Sequence, residues 1–298
     1  VVIGAHYDHL GEGALGGSRE ANPDGKIHHG ADDNASGVAA MLELARILQS
    51  NGKIEEHNYL FIFFSGEEEG LQGSKYWAEN PTVPLESIHY MIHMDMVGRM
   101  DSITRTLVVH GVGTNPNFGA WLNNANSKDL SLVFDSTGVG PSDFTSFYRK
   151  EIPVLGFFTG QHADYHKETD TPDKINYKGE KEVIEFILNM VHQLDTMPKL
   201  VYQKTKEPQM GRTKFKVTMG IMPDYTFSGE GVKVDGVSDD KPAFNAGIKA
   251  GDIIIRVGDM DIKDMSDYMK LLGSLNPGDQ RLVKVQRGEE ILELNITF

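Results

Sequence analysis

Five short segments carry the residue types that hold hard or borderline dications: His6-Tyr7-Asp8, Asp32-Asp33-Asn34, Glu67-Glu68, His93-Met94-Asp95 and Tyr165-His166. Each sits where a strand-like apolar run gives way to a loop, as Val1-Val2-Ile3 does before His6 and Leu60 to Phe64 before Glu67. In an open α/β sheet, ligands gather beyond the carboxyl ends of the strands. Imidazoles and carboxylates converging there form a two-metal hydrolytic site, because carboxylate oxygens bridge two dications while neutral imidazoles cap each one. Taken singly, each segment has a plainer meaning. Asp-Asp-Asn ahead of a helix reads as an N-cap, a Glu pair in a loop as solvated charge, and a lone His as an ordinary surface or core residue.

The elements that would position these residues alternate strand-like runs with helical patterns, the signature of an α/β layer fold. Strands are predicted over Val1–Ala5, Tyr59–Ser65, His89–Met94, Leu107–His110, Leu130–Phe134 and Pro153–Phe158. A helix is predicted over Ala35–Leu48, with Val38, Met41, Leu42, Ala45 and Leu48 on its inner face. A second runs over Glu180–Leu194, with a core stripe of Val183, Ile184, Ile187, Leu188 and Val191. The texture turns polar and aperiodic near Thr196 to Arg212, then becomes short β-like runs: Phe215–Ile221, Gly231–Val237, Asp252–Val257, Arg281–Gln286 and Ile291–Phe298. The expected organisation is an α/β domain over 1–197, a linker over 198–212 and a small β-rich domain over 213–298.

Bulk properties narrow the chemistry. The 298 residues contain no cysteine, so disulfides, thiolate metal sites and a cysteine nucleophile are excluded, and a metal must be held by His, Asp and Glu. A formal net charge of −14 argues against nucleic acid as a partner. No run of about 18 apolar residues is present to span a bilayer. The chain opens with Val1 inside a strand-like run, with no initiating Met or signal peptide, and is read as a fragment or processed form.

The ordered motifs HYDH, GADDNASG, SGEEEGLQGS, HMDMVGR and DYHKETDT resemble the zinc aminopeptidases of metallopeptidase family 28, over roughly residues 1 to 195. The resemblance implies a zinc-exopeptidase fold: a mixed, mostly parallel twisted sheet with helices on both faces. It implies two zinc ions, with Asp33 bridging, His6 and Asp95 completing one ion, and Glu68 and His166 the other. Asp8 would orient His6, Glu67 would act as general base, and the Tyr165 hydroxyl would help hold the oxyanion. The substrate would be a peptide with a free N-terminus, its amine met by Glu67 and Asp95. Two departures stand out. Pro141-Ser142-Asp143-Phe144 has Phe where the family often has His or Tyr, and the family's segment ahead of HYDH is absent. A glutaminyl cyclase with one zinc, an acidic-dipeptide carboxypeptidase using Arg99 and Arg149, and an inactive scaffold are the alternatives.

Beyond residue 213 the chain resembles a bacterial PDZ domain, through Thr218-Met219-Gly220-Ile221 and, more specifically, Pro242 to Asp252. That implies a groove for a peptide C-terminus, with Met219, Gly220 and Ile221 at its carboxylate loop, and a helix near Ser266–Leu272 presenting Met269 and Leu272. Pro223, which has no amide hydrogen, would weaken strand addition. A folded spacer is the other reading. By the same resemblance the location is periplasmic or secreted.

Overall fold

The computed structural model describes residues 1–13, 17–20, 22–205, 216–224, 227, 229–238 and 240–298. They fall into two compact units, the first comprising Val1–Gly160 and Asp164–Lys206 and the second Gln161–Ala163 and Glu207–Phe298.

In the first unit six strands form one sheet: β1 (Val2–His6), β2 (Leu60–Phe64), β3 (Met91–Met94), β4 (Thr106–His110), β5 (Ser131–Phe134) and β6 (Val154–Phe158), in the order β2-β1-β3-β6-β4-β5. All neighbours are parallel except β4 and β6. Every residue of β1 is buried, as a central strand covered on both faces requires. Successive side chains point to opposite faces, and the two cores divide accordingly. Val2, Met91 and Val154 enter one with Phe64, Phe144 and Phe147. Ile3, Ile92 and Leu155 enter the other with Met41, Leu44, Ile187 and Val191.

Helices α1 (Gly37–Ser50), α3 (Phe118–Ala125) and α5 (Tyr177–Leu194) contribute to the second core, while α2 (Gln72–Glu79) and α4 (Phe144–Tyr148) lie with the first. The fold class is the mixed, mostly parallel α/β sheet expected. Helix α5 starts three residues earlier than its apolar stripe suggests, because Asn176 caps it by accepting a hydrogen bond from Gly179 N. Its stripe is core: Val183, Ile184, Ile187 and Val191 are buried, each worth about 1.5–3 kcal/mol relative to exposure.

Helix α1 corrects its expected inner face. The buried residues are Ala40, Met41, Leu44 and Leu48, and Leu42 is 56% exposed. Gly37 sets the rotation: a Cβ there would lie 2.4 Å from Met94 O, so this side of the helix must face the end of β3. The helix also begins later than Ala35. An irregular turn over Ala31–Ser36 precedes it, with Asp33 and Asn34 in non-helical conformations. Helices α2, α3 and α4 were not foreseen. Only Ser74 and Ala78 are buried in α2, which leaves no apolar stripe to read.

Residues 198–205, expected as linker, are tied to the first unit. Leu200 N donates to His89 Nδ1, Asn115 Nδ2 to Val201 O, and Thr205 N to the Tyr148 hydroxyl. Residues 206–212 lie outside the described residues.

The second unit is an antiparallel sheet of β7 (Ile221–Pro223), β8 (Val232–Val237), β9 (Ile253–Val257), β11 (Gln280–Arg287) and β12 (Glu290–Thr297), with β10 (Met260–Asp261) paired to β9. Helices α6 (Pro242–Ala246) and α7 (Met265–Ser274) accompany it. Its core gathers Val232, Ile254, Val283, Val285 and Leu271. The first strand is corrected: among the described residues it starts at Ile221 rather than ending there, and Phe215 lies outside them.

Candidate metal centre

Strand direction brings the site together. β1, β2, β3 and β6 are parallel, so their carboxyl ends share one edge. His6 is the last residue of β1, Glu67 and Glu68 follow β2, and Asp95 follows β3. His166 arrives on the loop after β6, with a left-handed φ of 56°. Asp33 enters from the turn ahead of α1. Asp170 anchors that turn by accepting hydrogen bonds from the amides of Asp32 and Asp33. Asn34 donates to Met94 O and accepts from Gly37 N and Met96 N, and Asp32 accepts from Gly98 N. The neighbouring polar side chains are thus spent on buried backbone, and the Asp33 carboxylate is left to face the cluster.

Its two oxygens face two different groups. Oδ1 lies 3.4 Å from His6 Nε2, which is 3.3 Å from Asp95 Oδ1. Oδ2 lies 3.1 Å from His166 Nε2, which is 3.2 Å from Glu68 Oε2. Donors bound at 2.0–2.1 Å around a tetrahedral ion stand about 3.3–3.4 Å apart, close to these imidazole–carboxylate distances. The ligand atoms of His6, Asp33 and Asp95 lie together within 4.8 Å, as do those of His9, Asp33 and Glu68. Both imidazoles are turned for an ion. His6 Nδ1 donates to Asp8 O at 3.1 Å and His166 Nδ1 to Gly17 O at 2.8 Å, which directs each Nε2 at the carboxylates and leaves it the nitrogen free to bind an ion once deprotonated.

The charge balance also fits cations. The ion pairs that Asp33, Glu68 and Asp95 make are with histidines. Burial, with the charge of Asp95 next, pushes Glu67 up to about 9. Burial also raises Asp33. Against its burial, hydrogen bonds from His166 and His9 bring Glu68 down to about 2. His166, likewise against burial, is raised to about 10 by Asp33 and Glu68. His6 is likewise raised, against burial, by Asp95 and Asp33. Four carboxylates thus share two imidazoles drawn toward protonation, and dications would offset the burial and the carboxylate charge that keep a proton on Glu67.

Several expectations change in detail. The Asp8 carboxylate stands 3.8 Å from His6 Nδ1, beyond a hydrogen bond. The Asp8 carbonyl is what holds His6, while its carboxylate accepts from the Glu67 and Glu68 amides at 3.2 and 3.4 Å. The Tyr165 ring stacks on His166 at 3.8 Å, and burial followed by the charges of Asp33 and Glu68 keeps its phenol protonated. Arg99 is bound to Asp164, which also holds Lys174, and Arg149 is exposed beyond α4. Neither arginine is placed as a receptor for an acidic side chain.

Three further side chains beside the cluster were given no role by the sequence. Ser142 Oγ donates to Asp95 Oδ2 at 2.6 Å and lies 2.8 Å from His93 Nε2, and burial keeps His93 neutral by lowering it to about 3. The third is His9, whose Nδ1 is 2.9 Å from Glu68 Oε1 and 3.7 Å from Asp33 Oδ2. The quoted motif HYDH contained it, yet identity alone does not say which way a ring turns.

In the second unit, Met219 is fully buried in the core, so its side chain is not offered to a peptide. Gly220 takes φ +77°, and Ile221 opens β7, an edge strand of the sheet. Leu272 is buried in that core and Met269 partly so, against the expectation that both line a groove.

Residues 1–191 match the profile of Peptidase family M28, and residues 200–298 that of a PDZ domain. The chain therefore belongs to peptidase family M28 and carries a PDZ domain after its peptidase domain. It is 26% identical to Aminopeptidase YwaD of Bacillus subtilis, covering 72% of this chain and 44% of that protein. It is 27% identical to the Probable lipoprotein aminopeptidase LpqL of Mycobacterium tuberculosis, over 59% of this chain and 39% of that one. Among solved structures, the aminopeptidase from Aneurinibacillus sp. strain AM-1 is 30% identical with a TM-score of 0.51, covering 68% of this chain and 44% of that one. The chain spans less than half the length of each of these three.

Proposed function

We infer that the protein is an aminopeptidase using two zinc ions held by His6, Asp33, Glu68, Asp95 and His166. The observation that carries this reading is the Asp33 carboxylate, with one oxygen toward His6 and the other toward His166. Bound zinc supplies Lewis acidity, polarising a carbonyl and lowering the pKa of water to about 7. Glu67 takes the proton from the attacking water at its carboxylate and hands it to the departing amine. Asp8 fixes the backbone on which Glu67 stands. The protonated Tyr165 hydroxyl donates to the developing oxyanion, and the acidic cluster receives the substrate's free amine. An extracytoplasmic location fits the lipoprotein description of one relative. The PDZ domain is proposed to bind a peptide C-terminus along β7, and the domain boundary is placed within 206–212.

The test is hydrolysis of aminoacyl-nitroanilides by zinc-loaded protein and by Glu67→Gln. The variant is expected to keep its zinc and lose turnover by about 10²–10⁴-fold. Equal rates would remove Glu67 as the base. Cyclisation of N-terminal Gln without peptide hydrolysis would convert the reading to a glutaminyl cyclase.

A further inference from the structure

Three imidazoles approach the carboxylates, and one is turned the opposite way. His6 and His166 each bind a carbonyl through Nδ1 and present Nε2 to the centre. His9 presents Nδ1, at 2.9 Å from Glu68 Oε1, and its Nε2 is buried with no hydrogen-bond partner among the described residues. That orphan decides the tautomer. A proton on Nε2 would bury an unpaired donor, whereas a proton on Nδ1 goes to a carboxylate and leaves only a lone pair unmatched. His9 therefore reaches Glu68 as a donor, whereas a nitrogen that binds an ion must offer its lone pair. Its ring has a seat built for it: at Gly30 a Cβ would come 2.7 Å from His9 Cγ and 2.9 Å from Cδ2.

We propose that His9 is a positioning residue: its Nδ1–H holds Glu68 Oε1, so that Oε2, facing His166, is the oxygen Glu68 offers to the second ion. The proposal rests on the two-zinc reading above. It explains why Glu68, on a loop and without the strand that supports His6, is aimed at the same point as His166. It also gives the second ion a carboxylate bound through one oxygen, keeping a position free for substrate.

The experiment is zinc binding to the full chain, by competition with a chromophoric chelator, for the wild type, His9→Ala, His9→Asn and His9→Gln. Asn places its Nδ2 donor where His places Nδ1, and Gln places its amide nitrogen farther out. His9→Ala is expected to weaken the second ion by about 10–100-fold and leave the first unchanged. His9→Asn should recover affinity to within a few-fold, and His9→Gln should not. The Asn arm keeps the test sharp should the alanine variant fold poorly. Two ions held by His9→Ala as tightly as by the wild type would overturn the proposal alone. So would complete loss of the second ion in both His9→Ala and His9→Asn, which would make His9 a ligand. A wild type that holds a single ion would overturn the two-zinc reading first, and this proposal with it.

Discussion

On one side of Asp33, His6 is 1% exposed at the end of a fully buried strand, and Asp95 follows directly on the last residue of β3. On the other, Glu68 and His166 stand on loops, and His166 holds a left-handed backbone conformation. The first side takes its backbone positions from the sheet ladder, with Ser142 holding the Asp95 carboxylate. The second depends on hydrogen bonds from elsewhere in the chain: Gly17 O to His166, 149 positions away, and His9 to Glu68. A site that looks symmetric about one carboxylate is thus supported by two different means, and the two halves should respond differently to change.

The largest effects should come from the capping histidines. His6→Ala and His166→Ala are each expected to lower zinc content from two ions per chain to one, read by mass spectrometry of the dialysed protein. A variant that retains both ions would show that its side is not held as described. Next, Ser142→Ala removes the donor to Asp95 Oδ2 and should weaken the first ion by about 10–100-fold while sparing the second. Together with the His9 variants, it makes the comparison a crossed one, and a loss at the wrong ion would break it.

The smallest effect concerns the core behind the site. Glu180 is 6% exposed, and burial, with the charge of Asp32, raises its pKa to about 7 from an ordinary 4.5. A raised carboxyl contributes stability that is present below about pH 4.5 and lost as pH rises through about 7. Glu180→Gln should therefore stabilise the protein by about 1–3 kcal/mol at pH 8 and leave it unchanged near pH 4.5. Denaturant melts at the two pH values decide it, and equal gains at both would refute the cause assigned.

Much of this arrangement was legible beforehand, for identifiable reasons. The central strands β1 and β3 are fully buried, mostly apolar runs, and each of β1 to β6 falls within one or two residues of its expected bounds. The five motifs proposed to hold the ions were visible as residue types, and three of them stand at or directly after the ends of β1, β2 and β3. The rotation of α1 was not, because Leu42 and Leu44 satisfy helical spacing equally and only the approach of Gly37 to Met94 O separates them. The roles of His9, His93 and Ser142 were hidden because they depend on ring orientation and on contacts across 49 or 59 positions. In the PDZ domain, the position of β7 follows from pairing with β8, which local propensity does not encode.

The central claim is that one carboxylate serves two ions, and zinc content after equilibrium dialysis measures it directly. The account predicts two ions per chain for the wild type, and for Asp33→Asn, which removes the charge while keeping the shape, weakened binding of both. A wild type saturating at one ion, or an Asp33→Asn variant holding two as tightly as before, would contradict it.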